Sequence, residues 1–253
     1  MGKEVPLRLL VFSAHTADFC SRAGGTIALH AIAGAAVKVV TLTYGERSES
    51  GGLYAGGARP ALDAVKTVRR DEAERAAAAL GAEIAFCDWG DLRFDYSAER
   101  VAQLTEEIRA FRPDAVLTHH GPDPRSMDHD TTARLVGRAA QLADVPGLES
   151  AAPPTRWATV FHFEATLPLT ELEGFRPDLY VNITSVWDLK RTALECFTRA
   201  QGFLPAWYTD VAKLRAFQAR QLSGRSDILY AEAFERTVPW VGDRLPLDSH
   251  VAG

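Results

Sequence analysis

The sequence predicts an α/β fold: three layers, α/β/α, around a mainly parallel, Rossmann-like sheet. Three observations predict it. Short β-branched runs alternate with helical patterns through the first half of the chain, which implies parallel strands joined by helical crossovers. Glycines punctuate the ends of the helical patterns, at Gly34 and Gly81. The length of 253 residues with 47% hydrophobic residues suits one large domain with a sizeable core.

The elements follow in order. Leu9 to Ser13 is a short apolar run, read as a buried strand. Ala23 to Gly34 reads as a helix, opened by Gly24-Gly25. Val37 to Thr43 (VKVVTLT) is a second strand, followed by the Gly- and Ser-rich loop YGERSESGGLYAGGARP. Leu62 to Leu80 is a long helix, Ile84 to Cys87 a short strand, and Ala98 to Phe111 an amphipathic helix. Pro113 leads into a fourth strand, Ala115 to Thr118, and Asp130 to Leu142 reads as the next helix. In the second half, Thr159 to Glu164 reads as a strand. Val186 to Gln201, Leu214 to Leu222 and Tyr230 to Val238 read as helices. No repeat, low-complexity tract or linker interrupts the chain, so residues 1–253 are expected to form one catalytic domain.

The net charge of −5 lacks the basic footprint of a nucleic-acid binder. Cys20, Cys87 and Cys196 are too few and too irregularly spaced for a disulfide framework or a zinc ribbon, and read as free thiols in a reducing cytosol. The first residues carry no signal-peptide pattern, and no apolar stretch is long enough to cross a bilayer. A cytoplasmic protein that contacts neither membrane nor nucleic acid is expected. Trp207, Tyr208 and Trp240 mark either core packing or the interface of a homo-oligomer.

In open α/β sheets, ligands bind beyond the carboxyl ends of the strands. Three post-strand loops there carry unusual chemistry. His15 and Asp18 follow the first strand, where imidazole nitrogen and carboxylate oxygen suit Zn2+ or another divalent first-row ion. Alone, such a pair is more often a helix cap with its hydrogen bonds. The loop after the fourth strand holds His119, His120, Arg125, Asp128 and His129. His129 is a candidate third metal ligand and Asp128 a partner that orients an imidazole; the plainer reading is a helix cap and a satisfied core histidine. The loop after the second strand offers Glu46 as a general acid or base and Arg47 as a carboxylate clamp, against a merely solvated charged loop.

The segments AHTADF with AGGTIA, RRDEAERAAAALGAE, and PDAVLTHH with DPRSMDHDTTARLV resemble the PIG-L/LmbE superfamily of zinc-dependent enzymes, most of which deacetylate N-acetyl sugars. The resemblance implies that His15, Asp18 and His129 bind the metal. The same motifs hold a general base in the deacetylases where this chain has Ala17, and a charge-stabilising histidine where it has Ser126. Loss of both would remove much of the acid–base assistance an amide hydrolase needs.

One branch of the superfamily shares these departures. VFSAHTADF, TYGERSES, LTHHGPDPRSMDH, FRPDLYVNITSVWDLKRTALECF and SGRSDILYAEAFER are similar to the 4-oxalomesaconate hydratases of aromatic catabolism, over nearly the whole chain. That similarity implies addition of water to the C=C bond of an unsaturated oxo-polycarboxylic acid, giving 4-carboxy-4-hydroxy-2-oxoadipate from 4-oxalomesaconate. It implies Glu46 as an acid–base residue, with His162 of VFHFEAT and Asp128 as further catalytic candidates. An anionic multi-carboxylate substrate needs cations, and Arg22, Arg47, Arg125 and Arg225, with His119, are the substrate-binding candidates. Three rival readings stand beside this one: a deacetylase using another base, a non-catalytic metal- or ligand-binding homologue, and a hydratase or isomerase acting on a related diacid.

Overall fold

The computed structural model describes residues 6–166, 174–239 and 241. The central strand β1, Arg8–Ser13, shows why this segment folds as it does: Leu9 and Val11 enter one hydrophobic core while Leu10 and Phe12 enter another. A strand apolar on both faces must be covered on both, which forces the three-layer architecture. Around it lie β2 (Ala36–Thr41), β3 (Glu83–Phe86), β4 (Ala115–His119) and β5 (Thr159–Phe163), all parallel. Two further strands, β6 (Leu179–Asn182) and β7 (Ala231–Arg236), extend the sheet antiparallel, in the order β3-β2-β1-β4-β5-β7-β6.

The described helices are α1 (Asp18–Ile32), α2 (Leu62–Ala79), α3 (Ala98–Phe111), α4 (Met127–Ala143), α5 (Trp187–Glu195) and α6 (Leu204–Ser223). Helices α3 and α4 cover the core of Leu10, Phe12, Val40 and Val116; α1, α2, α5 and α6 cover the core of Leu9, Val11, Val39 and Leu117. Ser97 caps α3 by accepting the Arg100 backbone N–H at 3.3 Å. Gly81 follows α2 with φ +75°, as expected of a C-terminal glycine.

The structure departs from the sequence expectation at informative places. Helix α1 begins at Asp18, not Ala23, so the carboxylate of Asp18 sits in the first helical turn. Gly24 and Gly25 lie inside the helix, where a Cβ on Gly25 would stand 2.5 Å from the Ile183 side chain; close approach, not helix initiation, requires the glycine. Helix α4 likewise begins at Met127, which brings Asp128 and His129 into its first turn. Helix α5 stops at Glu195, and α6 starts ten residues earlier than read, with Pro205 in its first turn.

Residues 230–238 are not a helix. They contain β7, which pairs with β5 and β6. The segment AEAFER has strong intrinsic helix preference, but tertiary pairing overrides it. Glu232 of β7 is buried, and its carboxylate accepts the Gly25 and Thr26 backbone N–H groups, both at 2.8 Å, the Thr26 hydroxyl at 2.6 Å and Lys190 Nζ at 2.7 Å. One carboxylate thus ties α1 and α5 to the sheet. Tyr208 is buried and Trp207 half-exposed, while Trp240 lies outside the described residues.

Candidate metal centre and pocket

Strand β1 is flanked by β2 on one side and β4 on the other, so crossovers leave it in opposite directions. That switch point opens a crevice beyond the carboxyl ends of β1 and β4. The loop after β1 delivers His15 and Asp18; the loop after β4 delivers Asp123, Asp128 and His129. The loop after β2 delivers Glu49. Ligand atoms of His15, Asp18, Glu49 and His129 all lie within 4.8 Å of one another.

The spacing is that of a coordination sphere. His15 Nδ1 stands 3.4 Å from Asp18 Oδ2, 3.3 Å from Glu49 Oε1 and 3.3 Å from His129 Nε2, and His129 Nε2 stands 3.5 Å from Asp18 Oδ2. Donors about 2.1 Å from a tetrahedral zinc ion are separated by about 3.4 Å. The other ring nitrogens are engaged by carboxylates. His15 Nε2 donates to Asp128 Oδ2 at 3.1 Å, and His129 Nδ1 donates to Asp123 Oδ2 at 2.6 Å. This pattern fixes the tautomer that leaves Nδ1 of His15 and Nε2 of His129 as acceptors. Glu49 Oε2 is buried with no hydrogen-bond partner. That oxygen stands 4.0 Å from Arg69 Nη2, while Oε1 faces the cage, and the donor set fits a divalent cation.

The electrostatics agree. Burial works against a charged His15, yet Glu49, Asp128 and Asp18 outweigh it and hold its pKa well above the usual imidazole value. His129 is raised in the same way, by Asp18 and Asp123 against burial. Burial disfavours ionised Asp18, but Arg22, His129 and His119 hold its carboxyl well below the usual range. Asp123 is also held low, burial being overcome chiefly by the hydrogen bond from His129. The surrounding carboxylates thus favour positive charge at the cage.

Above the cage is a pocket of about 650 Å3. His15 and Glu49 reach it from below; Ser48, Arg125, Ser126, Thr166, Arg199 and Gln201 are among its walls. Glu49 is placed by a tight turn. Its N–H donates to the Gly45 carbonyl at 3.0 Å, and Gly45 has φ +64°, a conformation that favours glycine. Gly52 closes the loop against the turn after α5: its N–H donates to Ala200 O at 2.8 Å, and an added Cβ would lie 2.3 Å from Arg199 O.

The remaining expected residues fall in different places. Asp128 is beside the cage, also accepting the Leu92 N–H at 2.9 Å, as a partner of His15. Arg22 is buried and pairs with Asp18 at 2.6 Å. His119 is fully buried beneath the cage, stacked on His129 at 4.0 Å between ring centroids. Glu46 is buried, with Oε1 accepting from Arg47 Nη1 at 2.9 Å, and is absent from the pocket walls. Arg47 pairs with Glu46 and Asp91. His162 bonds the His119 carbonyl at 2.7 Å and lines a separate depression with His120 and Arg134. Arg225 follows the far end of α6, about 30 Å from the end that meets the pocket, and pairs with Asp227 at 2.7 Å. Sequence reasoning missed Glu49, Asp123 and Arg199. For Glu49 the only signal was its place in YGERSES, the post-strand loop that drew attention to Glu46.

Comparisons with known proteins bear on this site. The sequence model of the PIG-L family, GlcNAc-PI de-N-acetylase, matches residues 10–140. A 4-oxalmesaconate hydratase of Pseudomonas putida KT2440 is 38% identical, over 93% of this chain and 91% of its own length. The crystal structure of GalB, a 4-carboxy-2-hydroxymuconate hydratase from the same strain, superposes with a TM-score of 0.89, covering 94% of this chain and 99% of that one. N,N'-diacetylchitobiose deacetylase from Pyrococcus horikoshii shares the fold, with a TM-score of 0.73 at 20% identity over 90% of this chain and 83% of that one.

Proposed function

The chain belongs to the GlcNAc-PI de-N-acetylase family, PIG-L, and from that premise we propose that it is a metal-dependent hydro-lyase. It adds water to the C=C bond of an unsaturated oxo-polycarboxylic acid, most specifically 4-oxalomesaconate, to give 4-carboxy-4-hydroxy-2-oxoadipate. The observation that carries this reading is the 38% identity to a hydratase along 93% of the chain. The site supports it: Ala17 is a buried apolar residue beside Asp18, so that position offers no base for amide hydrolysis. No helix among the described residues is long and apolar enough to cross a membrane.

His15, Asp18 and His129 would hold the ion, with Glu49 beside them; zinc fits a donor set of two imidazoles and carboxylate. When bound, the ion supplies Lewis-acid stabilisation to the oxygens of the substrate. The chain's own residues do the rest. Glu49 takes over the acid–base role that the sequence reading gave to Glu46, because Glu49 reaches the pocket and Glu46 does not. Its carboxylate accepts the proton of the attacking water as the new C–O bond forms. Glu49 then returns that proton to the neighbouring carbon, so the double bond gains one water in total and the carboxylate is regenerated. Asp128 and Asp123 keep the two imidazoles in register, and Arg125 faces the substrate's negative charge. His162 belongs to a separate depression and is given no step.

The test is loss of conjugation in an unsaturated oxo-acid, followed spectroscopically with zinc-loaded protein. Glu49→Gln lowers turnover by about 10²–10⁴-fold, the usual worth of a general acid–base group, while Glu46→Gln stays within an order of magnitude. Equal losses in both variants would remove Glu49 from the role. Turnover of an N-acetyl sugar conjugate without hydration of any oxo-acid would replace the hydratase with a deacetylase.

A further inference from the structure

Most arginines near the site are already neutralised. Arg22 pairs with Asp18, Arg47 with Glu46 and Asp91, and Arg69 with Glu72. Two arginines of the pocket wall differ. Arg125 and Arg199 both line the pocket, both are exposed, and neither guanidinium has an ion-pair partner among the described residues. They come from segments far apart in sequence, the loop before α4 and the turn after α5.

Both backbones are fixed from beneath. The Arg125 N–H donates to Asp123 Oδ1 at 2.9 Å, so the carboxylate that orients His129 also shapes the Arg125 loop. The Arg199 turn is held by Gly52 N–H on the Ala200 carbonyl and by the buried Arg69, whose Nη2 donates to Gln201 Oε1 at 2.9 Å. Two helices also begin at this pocket: α4 after Ser126 and α6 after Phe203. Their amino ends add positive potential to the space the two guanidinia face.

We propose that Arg125 and Arg199 form a two-point clamp for the carboxylates of a dianionic or trianionic substrate, and that Arg199 sets the discrimination against neutral substrates. The inference rests on the pocket being the substrate site of the proposed hydratase. A planar guanidinium binds a carboxylate through two parallel N–H donors, which fixes orientation as well as charge. Held at two carboxylates, a short unsaturated acid has its remaining carbons directed to the floor, where His15 and Glu49 lie.

The probe is tricarballylate, a saturated tricarboxylate with no double bond to hydrate. It is titrated calorimetrically into the zinc-loaded full-length protein. Arg125→Gln and Arg199→Gln each raise the dissociation constant by about 10- to 100-fold, the range of a charge-assisted hydrogen bond. Arg199→Lys recovers part of the loss, binding weakens as salt is raised, and the trimethyl ester does not bind. Absence of binding by the parent protein, or Gln variants within about twofold of it, overturns the clamp. A separate kinetic arm keeps the two readings apart. If the parent hydrates an oxo-acid and Arg199→Gln leaves KM unchanged, the clamp falls and the hydratase stands. If tricarballylate binding follows the arginines while no oxo-acid is hydrated, the clamp stands and the hydratase falls.

Discussion

Replacing Asp123 with Ala attacks the metal cage without touching any of its ligands. Asp123 Oδ2 accepts three hydrogen bonds: His129 Nδ1 at 2.6 Å, the Thr166 N–H at 2.8 Å and the Thr166 hydroxyl at 2.9 Å. Oδ1 accepts the Arg125 N–H at 2.9 Å. Without the carboxylate, His129 is free to move its proton to Nε2, the nitrogen that must face the ion. Loss of such a partner lowers metal affinity by about 10- to 100-fold, or about 1.4–2.7 kcal/mol. Thr166 N–H also loses its acceptor, a further cost to folding of about 1–3 kcal/mol. Asn gives a graded control. Its single carbonyl oxygen serves the three donors at the Oδ2 position, leaving its NH2 against the Arg125 N–H. The tautomer survives but the charge does not. Zinc affinity, read by competition with a chromophoric chelator near neutral pH, therefore falls in the order Asp, Asn, Ala. Thermal unfolding of the metal-free proteins, measured alongside, separates the folding cost. An alanine variant that binds zinc within about twofold of the parent refutes the reasoning.

Two further outcomes follow from the same geometry. Gly52→Ala puts a carbon 2.3 Å from Arg199 O, where C···O contacts normally stand at about 3.3 Å or more, so the loop must move by about 1 Å. Overpacking and a lost backbone hydrogen bond together cost about 2–4 kcal/mol, which lowers Tm by something on the order of 5–10 °C; an unchanged Tm contradicts the close approach. Metal affinity depends on pH with a definite sign. The raised pKa values of His15 and His129 mean that protons compete for the ligand nitrogens, so zinc binding strengthens as pH rises through those values and then levels off. Calorimetry in buffers of different ionisation enthalpy checks it, and zinc binding that releases no protons on the acid side counts against the cage.

The parallel half of the fold was legible because its central strand β1 is apolar on both faces and two of its helices are followed by glycines, Gly34 and Gly81. Strand ends pointed to His15, Asp18 and His129 one by one, but it was the family resemblance that joined them as a set, and the fold brings their ligand atoms together. What the sequence concealed depended on backbone turns and tertiary contacts. In YGERSES two glutamates stand three apart, and only the turn at Gly45 decides that Glu49 enters the cage while Glu46 turns towards Arg47. Asp123 sits between two prolines and resembles an ordinary turn residue, yet it accepts four hydrogen bonds. Arg199 follows a helix whose end the sequence placed six residues too late, so it was read as part of a helix and not as a pocket wall. The segment around β7 read as helix because its local preference is helical and the partners that override it are far away in sequence.

That distance sets a timetable for the living chain. Glu232 holds the amides of Gly25 and Thr26 across separations of 207 and 206 residues, within the same helix that carries Asp18. At about 5–20 residues per second, the ribosome needs roughly 10–40 s to supply that carboxylate after the helix has emerged. His15 and Asp18 thus leave the ribosome long before the scaffold that positions them exists, and His129 follows 114 residues after His15. The four donors of the cage therefore come from segments of the chain that are made well apart in time.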